Sequence, residues 1–296
     1  HDSPPQSYFP ATAELNSGDR AAAASVVVQA ARAAGMGAYG TYRSSATELA
    51  VVSSTGIRAY APSTTAYLKI LLENEHGSGF GDALDRDAGR IHTESVVQQA
   101  IAKCRANRDQ GELPPGDYEA VFDPNAVADM MRFPAVWGMG ARQFLDGQSF
   151  MSRRAGSRVT GEQVTVWDDP CDPRCMPMPI DFEGLPSRRV DIIKEGVALG
   201  PVYDAQTAAE AGVKSTGHAS APFTDFANDP QADHIIMPTG DATIEELISR
   251  IERGVWVTRF HYTHCPDGKR VIATGTTPAL IEPFKLERFY TDTMVS

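Results

Sequence analysis

Between Gly37 and Leu72 four short segments follow one another: Gly37 to Arg43, Glu48 to Ser53, Ile57 to Ala61 and Thr65 to Leu72. Each is rich in β-branched or aromatic residues, and Ser, Thr and Gly separate them. No helical stretch lies between them. Strands joined by so few residues can only fold back on their neighbours, because a parallel crossover takes about a dozen residues or more. The segments therefore predict an antiparallel meander. An Ala-rich run from Asp19 to Ala34, closed by Gly35, predicts a helix before the meander. A second helix is predicted from about Thr93 to about Arg108, where Val96, Val97, Ala100, Ile101 and Cys104 recur at helical spacing. The Gly-rich stretch Ser78 to Asp85 reads as a loop. Helices set against one antiparallel sheet make an α+β unit.

Pro114 and Pro115, just before Gly116, mark a linker. Residues 1–115 are read as an N-terminal α+β domain, irregular over its first ten residues, and 116–296 as a β-rich C-terminal domain. A chain of 296 residues with 42% hydrophobic content suits two such domains. Beyond the linker, Tyr118 to Phe122 predicts a strand and Pro124 opens a helix, with Asp123 placed to cap it. Short strands are expected at 164–167, 190–193, 197–203, 235–237, 255–262 and 270–274, and one more helix at 243–253. No internal repeat is present.

With 38 acidic against 27 basic residues the formal charge is -11, which repels phosphate backbones and anionic lipid heads. A nucleic-acid partner is excluded on that ground. No apolar run approaches the roughly 20 residues that span a bilayer, and the N-terminus lacks a basic-then-apolar signal pattern. The expectation is a cytoplasmic protein without a membrane partner. Four cysteines do not make a disulfide framework in a chain this long. Cys171 and Cys175 stand three residues apart in a Pro-rich segment with no second pair, so they read as free thiols in a loop rather than a zinc knuckle.

A hydrolytic zinc site needs three side-chain ligands on a rigid frame and one position open for water. None of the seven histidines has a second histidine one turn away on a predicted helix. One local cluster puts His261 on an extended strand and His264 and Cys265 at the bend before Pro266 to Lys269; it reads as a solvated turn, with a metal site as the weaker alternative. Asp168-Asp169-Pro170 and Asp181-Phe182-Glu183-Gly184 invite an acid and base reading, yet spacing alone does not bring the two acidic segments together. In an extended segment Asp181 and Glu183 face the same side, where they could cap a turn, hold an arginine or take the amino end of a peptide. Ser215-Thr216-Gly217-His218 allows close backbone approach and leaves two readings, a tight turn with an exposed His218 or a surface for a peptide backbone. No Gly-x-Ser-x-Gly elbow and no phosphate loop occur.

In order and spacing, the stretch Tyr118 to Ser149, Asp168-Asp169-Pro170, Asp181 to Gly184, Ser215 to His218 and Gly254 to Thr258 resemble the TldD/PmbA family of peptidases. Catalytic members of the TldD type carry His-Glu-x-x-x-His on the helix after the first of these strands. Here Ala126 to Val136 holds no histidine, so the chain resembles the PmbA type, also called TldE, the metal-free half of a two-subunit protease. The resemblance implies that no cofactor is bound by this chain, and that zinc is supplied by a TldD-like catalytic partner. It further implies extended peptides as substrates and Asp181, Glu183, Thr216, Gly217 and His218 as the residues nearest them. Two other readings stay open. One is a self-contained metallohydrolase or amide-cleaving enzyme of natural-product biosynthesis; the other is a non-enzymatic homodimeric binding module. The resemblance also implies a strand and helix region before His1, and it departs after Thr277, where relatives continue through a further strand pair.

Overall fold

A computed structural model describes residues 5–107, 114–221 and 229–264, together with the backbone of strands at 272–275, 278–282, 285–288 and 294–295. A short helix α1 (Pro10–Ala13) leads into α2 (Ser17–Ala33). Asn16 rather than a later residue starts α2, because its side chain accepts from the amides of Gly18 and Asp19 while Asp19 accepts from the amide of Asn16. The meander is longer and simpler than the sequence suggests. Its four segments merge into two strands, β1 (Gly37–Val52) and β2 (Arg58–Asn74), antiparallel in unbroken register from Gly37↔Glu73 to Val52↔Arg58. Ser and Thr at the presumed breaks simply occupy strand positions.

Burial alternates along β2 as a half-covered sheet requires. Ala66, Leu68, Ile70 and Leu72 are buried, and the residues between them are not. The buried row packs with Val27 and Ala31 of α2 and with Val96, Val97, Ala100, Ile101 and Cys104 of α3 (Thr93–Ala106).

Ser78 to Asp85 is not a loop. Gly77–Asp85 forms β3, paired with β2 from Asn74↔Gly77 to Ala66↔Asp85. The glycines are there because α3 lies almost in contact with the strand backbone. A Cβ on Gly79 would stand 2.1 Å from the Ala100 carbonyl oxygen and 2.3 Å from the Cys104 nitrogen, and one on Gly81 would stand 2.4 Å from the Val96 oxygen. Glycines that read as turn signals here mark close approach of helix and strand.

Beyond residue 114, β4 (Glu119–Phe122) runs parallel to β9 (Gly254–Val257), and β12 (Pro278–Glu282) and β13 (Lys285–Arg288) extend that sheet in the order β13-β12-β9-β4. The predicted strand 255–262 is broken in two. Thr258 and Arg259 separate β9 from β10 (Phe260–His264), which pairs instead with β11 (Ile272–Gly275), itself paired with β14 (Met294–Val295). A further sheet, β7-β6-β5-β8, comprises β5 (Val166–Asp168), β6 (Val190–Lys194), β7 (Val197–Ala198) and β8 (Ile235–Ile236). The predicted strand 197–203 keeps only its first two residues, and helix α6 (Ala205–Ala211), absent from the sequence reading, follows it.

Helix α4 (Pro124–Gly138) joins the two halves of this domain, with Ala126 in the core beside Val255, Val257 and Phe260 and Ala135 in the core with Met139, Met151, Val166 and Ile192. α5 (Ala141–Leu145) follows it, and α7 (Ile244–Ser249), started by a Thr243 to Glu246 capping box, precedes β9. The fold is α+β, with the antiparallel sheet and its helices first and a sheet-rich region after. No helix among the described residues is long and apolar enough to cross a membrane.

Gly79→Ala is expected to destabilise the protein by about 2–3 kcal/mol, since the new methyl meets backbone atoms that cannot move aside. Gly161→Ala, with nothing within 4 Å, should stay within about 0.5 kcal/mol of the parent. Urea unfolding of the two variants checks both.

Candidate functional site

The place where a metal would be sought is α4. Its sequence, Pro-Asn-Ala-Val-Ala-Asp-Met-Met-Arg-Phe-Pro-Ala-Val-Trp-Gly, offers neither His, Cys nor Glu. Asp129 is the single carboxylate on it. Burial raises the Asp129 pKa, opposed by the Phe260 amide, which donates to the carboxylate, and by Arg132 and Arg259. Asn125 donates to Asp82 on β3 at 3.0 Å. Among the described residues no group of three or more His, Cys, Asp or Glu side chains could hold a metal ion. One carboxylate already engaged by a backbone amide does not supply the three ligands of a hydrolytic zinc site.

Asp123, expected to cap α4, makes no side-chain cap bond. One oxygen accepts from the Trp256 indole at 2.6 Å and the other from Lys103 of α3 at 3.1 Å. Partners fixed by tertiary contact outcompete the helix's own amides.

The acidic and Ser-Thr-Gly-His segments, distant in sequence, meet in a buried network. His218 Nε2 lies 2.9 Å from Asp168 Oδ1, and His218 Nδ1 lies 3.0 Å from the Thr216 carbonyl. Both ring nitrogens thus face oxygen acceptors, and satisfying both takes a hydrogen on each nitrogen or one on Asp168. The second Asp168 oxygen accepts from the His234 amide at 2.7 Å. Side-chain exposure is 2% for His218 and 0% for Asp168, too little for either to meet a substrate. The reading of His218 as exposed is therefore corrected: the loop carries its ring inward onto Asp168.

Asp181 and Glu183 lie in a tight turn rather than an extended segment. Asp181 accepts from the amides of Glu183, Leu185 and Ala219, at 3.0, 2.8 and 3.1 Å, and so staples its own turn to the Ser215 to Ala219 loop. Glu183 reaches across to the Ala205 amide, the first residue of α6, at 2.9 Å. Burial raises the Glu183 pKa, with the Ala205 amide opposing and Asp181 and Asp204 adding to it. Thr216 exchanges bonds with Tyr203 through both its amide and its hydroxyl. Gly217 sits at φ 71°, and a Cβ there would come within 2.3 Å of the Pro186 oxygen.

All five residues singled out from the sequence thus come together, and Asp168 is the anchor that residue-by-residue reasoning left out of the group. Its signal was the Asp-Asp-Pro motif itself, which has no meaning until His218 is folded against it. His261 and His264 stand on β10, known here by its backbone, and Cys265 lies outside the described residues. Cys171 and Cys175 are free thiols whose pKa values burial raises.

Asp168→Ala should cost about 3–5 kcal/mol, because it leaves the buried His218 ring and the His234 amide without their acceptor. Because the cost reflects a stranded partner, the double variant Asp168→Ala/His218→Ala should be less destabilised than the sum of the singles. Equilibrium urea unfolding of the four-protein cycle measures this.

The family model described as the PmbA/TldA metallopeptidase C-terminal domain matches residues 115–296. A metalloprotease of Methanothermobacter thermautotrophicus is 25% identical over 181 residues, covering 61% of this chain and 39% of that protein. A metalloprotease TldD homolog of Haemophilus influenzae is 27% identical over 203 residues, covering 68% of this chain and 42% of that one. The chain spans about two fifths of the length of these curated relatives. Among solved structures, TldE from Thermococcus kodakarensis superimposes with a TM-score of 0.84 at 21% identity, covering 97% of this chain and 67% of that one. A putative modulator of a DNA gyrase from Thermotoga maritima superimposes with a TM-score of 0.82 at 17% identity, covering 96% and 67%. At those identities the structures speak for the fold, while the family match takes in well over half of the sequence, and the chain belongs to the PmbA/TldD family of metallopeptidases.

Proposed function

We propose that this chain is a TldE/PmbA-like subunit of a two-chain, cytoplasmic zinc protease, in which a TldD-like partner binds the metal and cleaves extended peptides. The observation that carries the reading is α4. A helix at the position where catalytic members display two histidines and a glutamate here displays Asp129 alone among carboxylates, imidazoles and thiols. Two further features support it. The Asp168 to His218 network is sealed from solvent, which suits a wall and not a reacting centre. The 16 residues of β1 form an edge of their sheet, and an extended peptide recognises such an edge through its main chain with little side-chain selectivity. In this reading Asp181, Glu183, Thr216, Gly217 and His218 shape the wall beside the peptide and take no part in bond cleavage.

The chain should purify without stoichiometric zinc and without peptidase activity. Coexpressed with a TldD-like chain encoded nearby, it should co-purify as a heterodimer that cleaves an unfolded peptide and loses that activity on chelation. Tightly held zinc at one equivalent in the isolated chain would mean a self-contained metallohydrolase. A homodimer that ignores every TldD-like chain would point to a binding module.

A further inference from the structure

The break between β9 and β10 leaves Arg259 in an unusual setting. Its guanidinium lies 4.9 Å from the centre of the Phe80 ring on β3, across the junction between the N-terminal sheet and the C-terminal one. The residue is half-buried, and among the described residues the guanidinium closes no hydrogen bond or ion pair. Burial lowers its pKa, while Asp129 attracts it at longer range and has its own carboxylate bonded to the Phe260 amide. Five N–H donors drawn partly out of water and, among the described residues, without an acceptor carry a cost that a ligand can remove.

Beside Arg259 opens a cavity of about 160 Å³ whose walls include Phe80, Ala102, Lys103, Trp256, Thr258 and Arg259. Lys103 and the Trp256 indole are both committed to Asp123, so among the described residues the cation at the cavity without an ion pair is Arg259. The other walls are largely carbon. A planar guanidinium with free donors matches the two oxygens of a carboxylate, and a void of this order accepts a group about the size of a benzene ring.

We propose that this cavity binds the C-terminal residue of a short peptide, its carboxylate accepting from the Arg259 guanidinium and its apolar or aromatic side chain packing against Trp256 and Phe80. The carboxylate specificity stands on the cavity alone; the choice of a peptide as its bearer rests on the proteolytic reading above. Hydrolysis of a peptide bond creates a new carboxylate on the N-terminal fragment, so the cavity would hold short products or position short substrates by their ends.

The test is calorimetric titration of the isolated chain with N-acetyl-alanyl-phenylalanine, its C-terminal amide, and phenylpropionate. The acid is expected to bind about tenfold or more tightly than the amide, the size of effect a charge-assisted hydrogen bond brings. Arg259→Gln should abolish that difference, Arg259→Lys should keep part of it, and phenylpropionate should bind more weakly than the peptide acid. Equal affinity for acid and amide, no binding of the acid, or a preference that persists in Arg259→Gln would overturn the site. Phenylpropionate binding as tightly as the peptide acid would overturn the peptide assignment. The acid and amide comparison uses the unaltered chain, so it does not depend on how the variants fold. No partner or zinc enters the titration, and its outcome is therefore separate from that of the coexpression experiment.

Discussion

Asp123 carries a carboxylate into a place that water barely reaches, and three parts of the fold meet there. Its side chain is 8% exposed, and each oxygen has a donor from a different part of the fold, Lys103 from α3 and Trp256 from β9. A buried carboxylate is tolerable only when its lone pairs are met in this way. The three groups therefore tie the N-terminal helix layer, the start of α4 and the parallel β4 to β9 pair to one point. With that point fixed, β3 comes to face the end of β9, and Arg259 is brought over Phe80.

A second set of buried carboxylates replaces regular secondary structure where there is little of it. Strands β5 to β8 are two to five residues long, and the chain between them is mostly turn. Such segments still carry backbone amides that must find acceptors. Asp168, Asp181 and Asp204 provide them: Asp168 takes the His234 amide, Asp181 takes three amides, and Asp204 takes both the amide and the hydroxyl of Thr207. Each acid pins a loop where a longer strand would have used a ladder. The same bonds hold Asp168 and Asp181 to the partners that fix their loops.

Both patterns bear on how α4 is held in place in this member of a metallopeptidase family. The fold has no vacant coordination frame on α4; hydrophobic side chains there, Ala126 at one end and Ala135 at the other, join two cores. A helix placed by packing in this way keeps its position through its apolar contacts, whichever polar residues its other positions carry.

How much of this was legible depends on the range over which each signal acts. The helix at 17–33, the helix at 93–106, the antiparallel meander and the missing histidines on α4 follow from local sequence, because propensity, apolar spacing and residue identity are properties of short windows. The site residues were readable as a group only through family resemblance, and their geometry was not. Gly79 and Gly81 read as a loop because nothing local reveals a helix backbone lying 2.1 Å from where a side chain would begin. The burial of His218 was not foreseen by either of its two readings, because its partner, Asp168, stands fifty residues away. Asp123 read as a cap because the competing donors, Lys103 and Trp256, come from other elements. The sequence by itself determined the class of fold and the absence of histidine from α4. Only tertiary structure decided which polar groups share a buried space, because such a pairing reflects competition among distant donors for the same few acceptors.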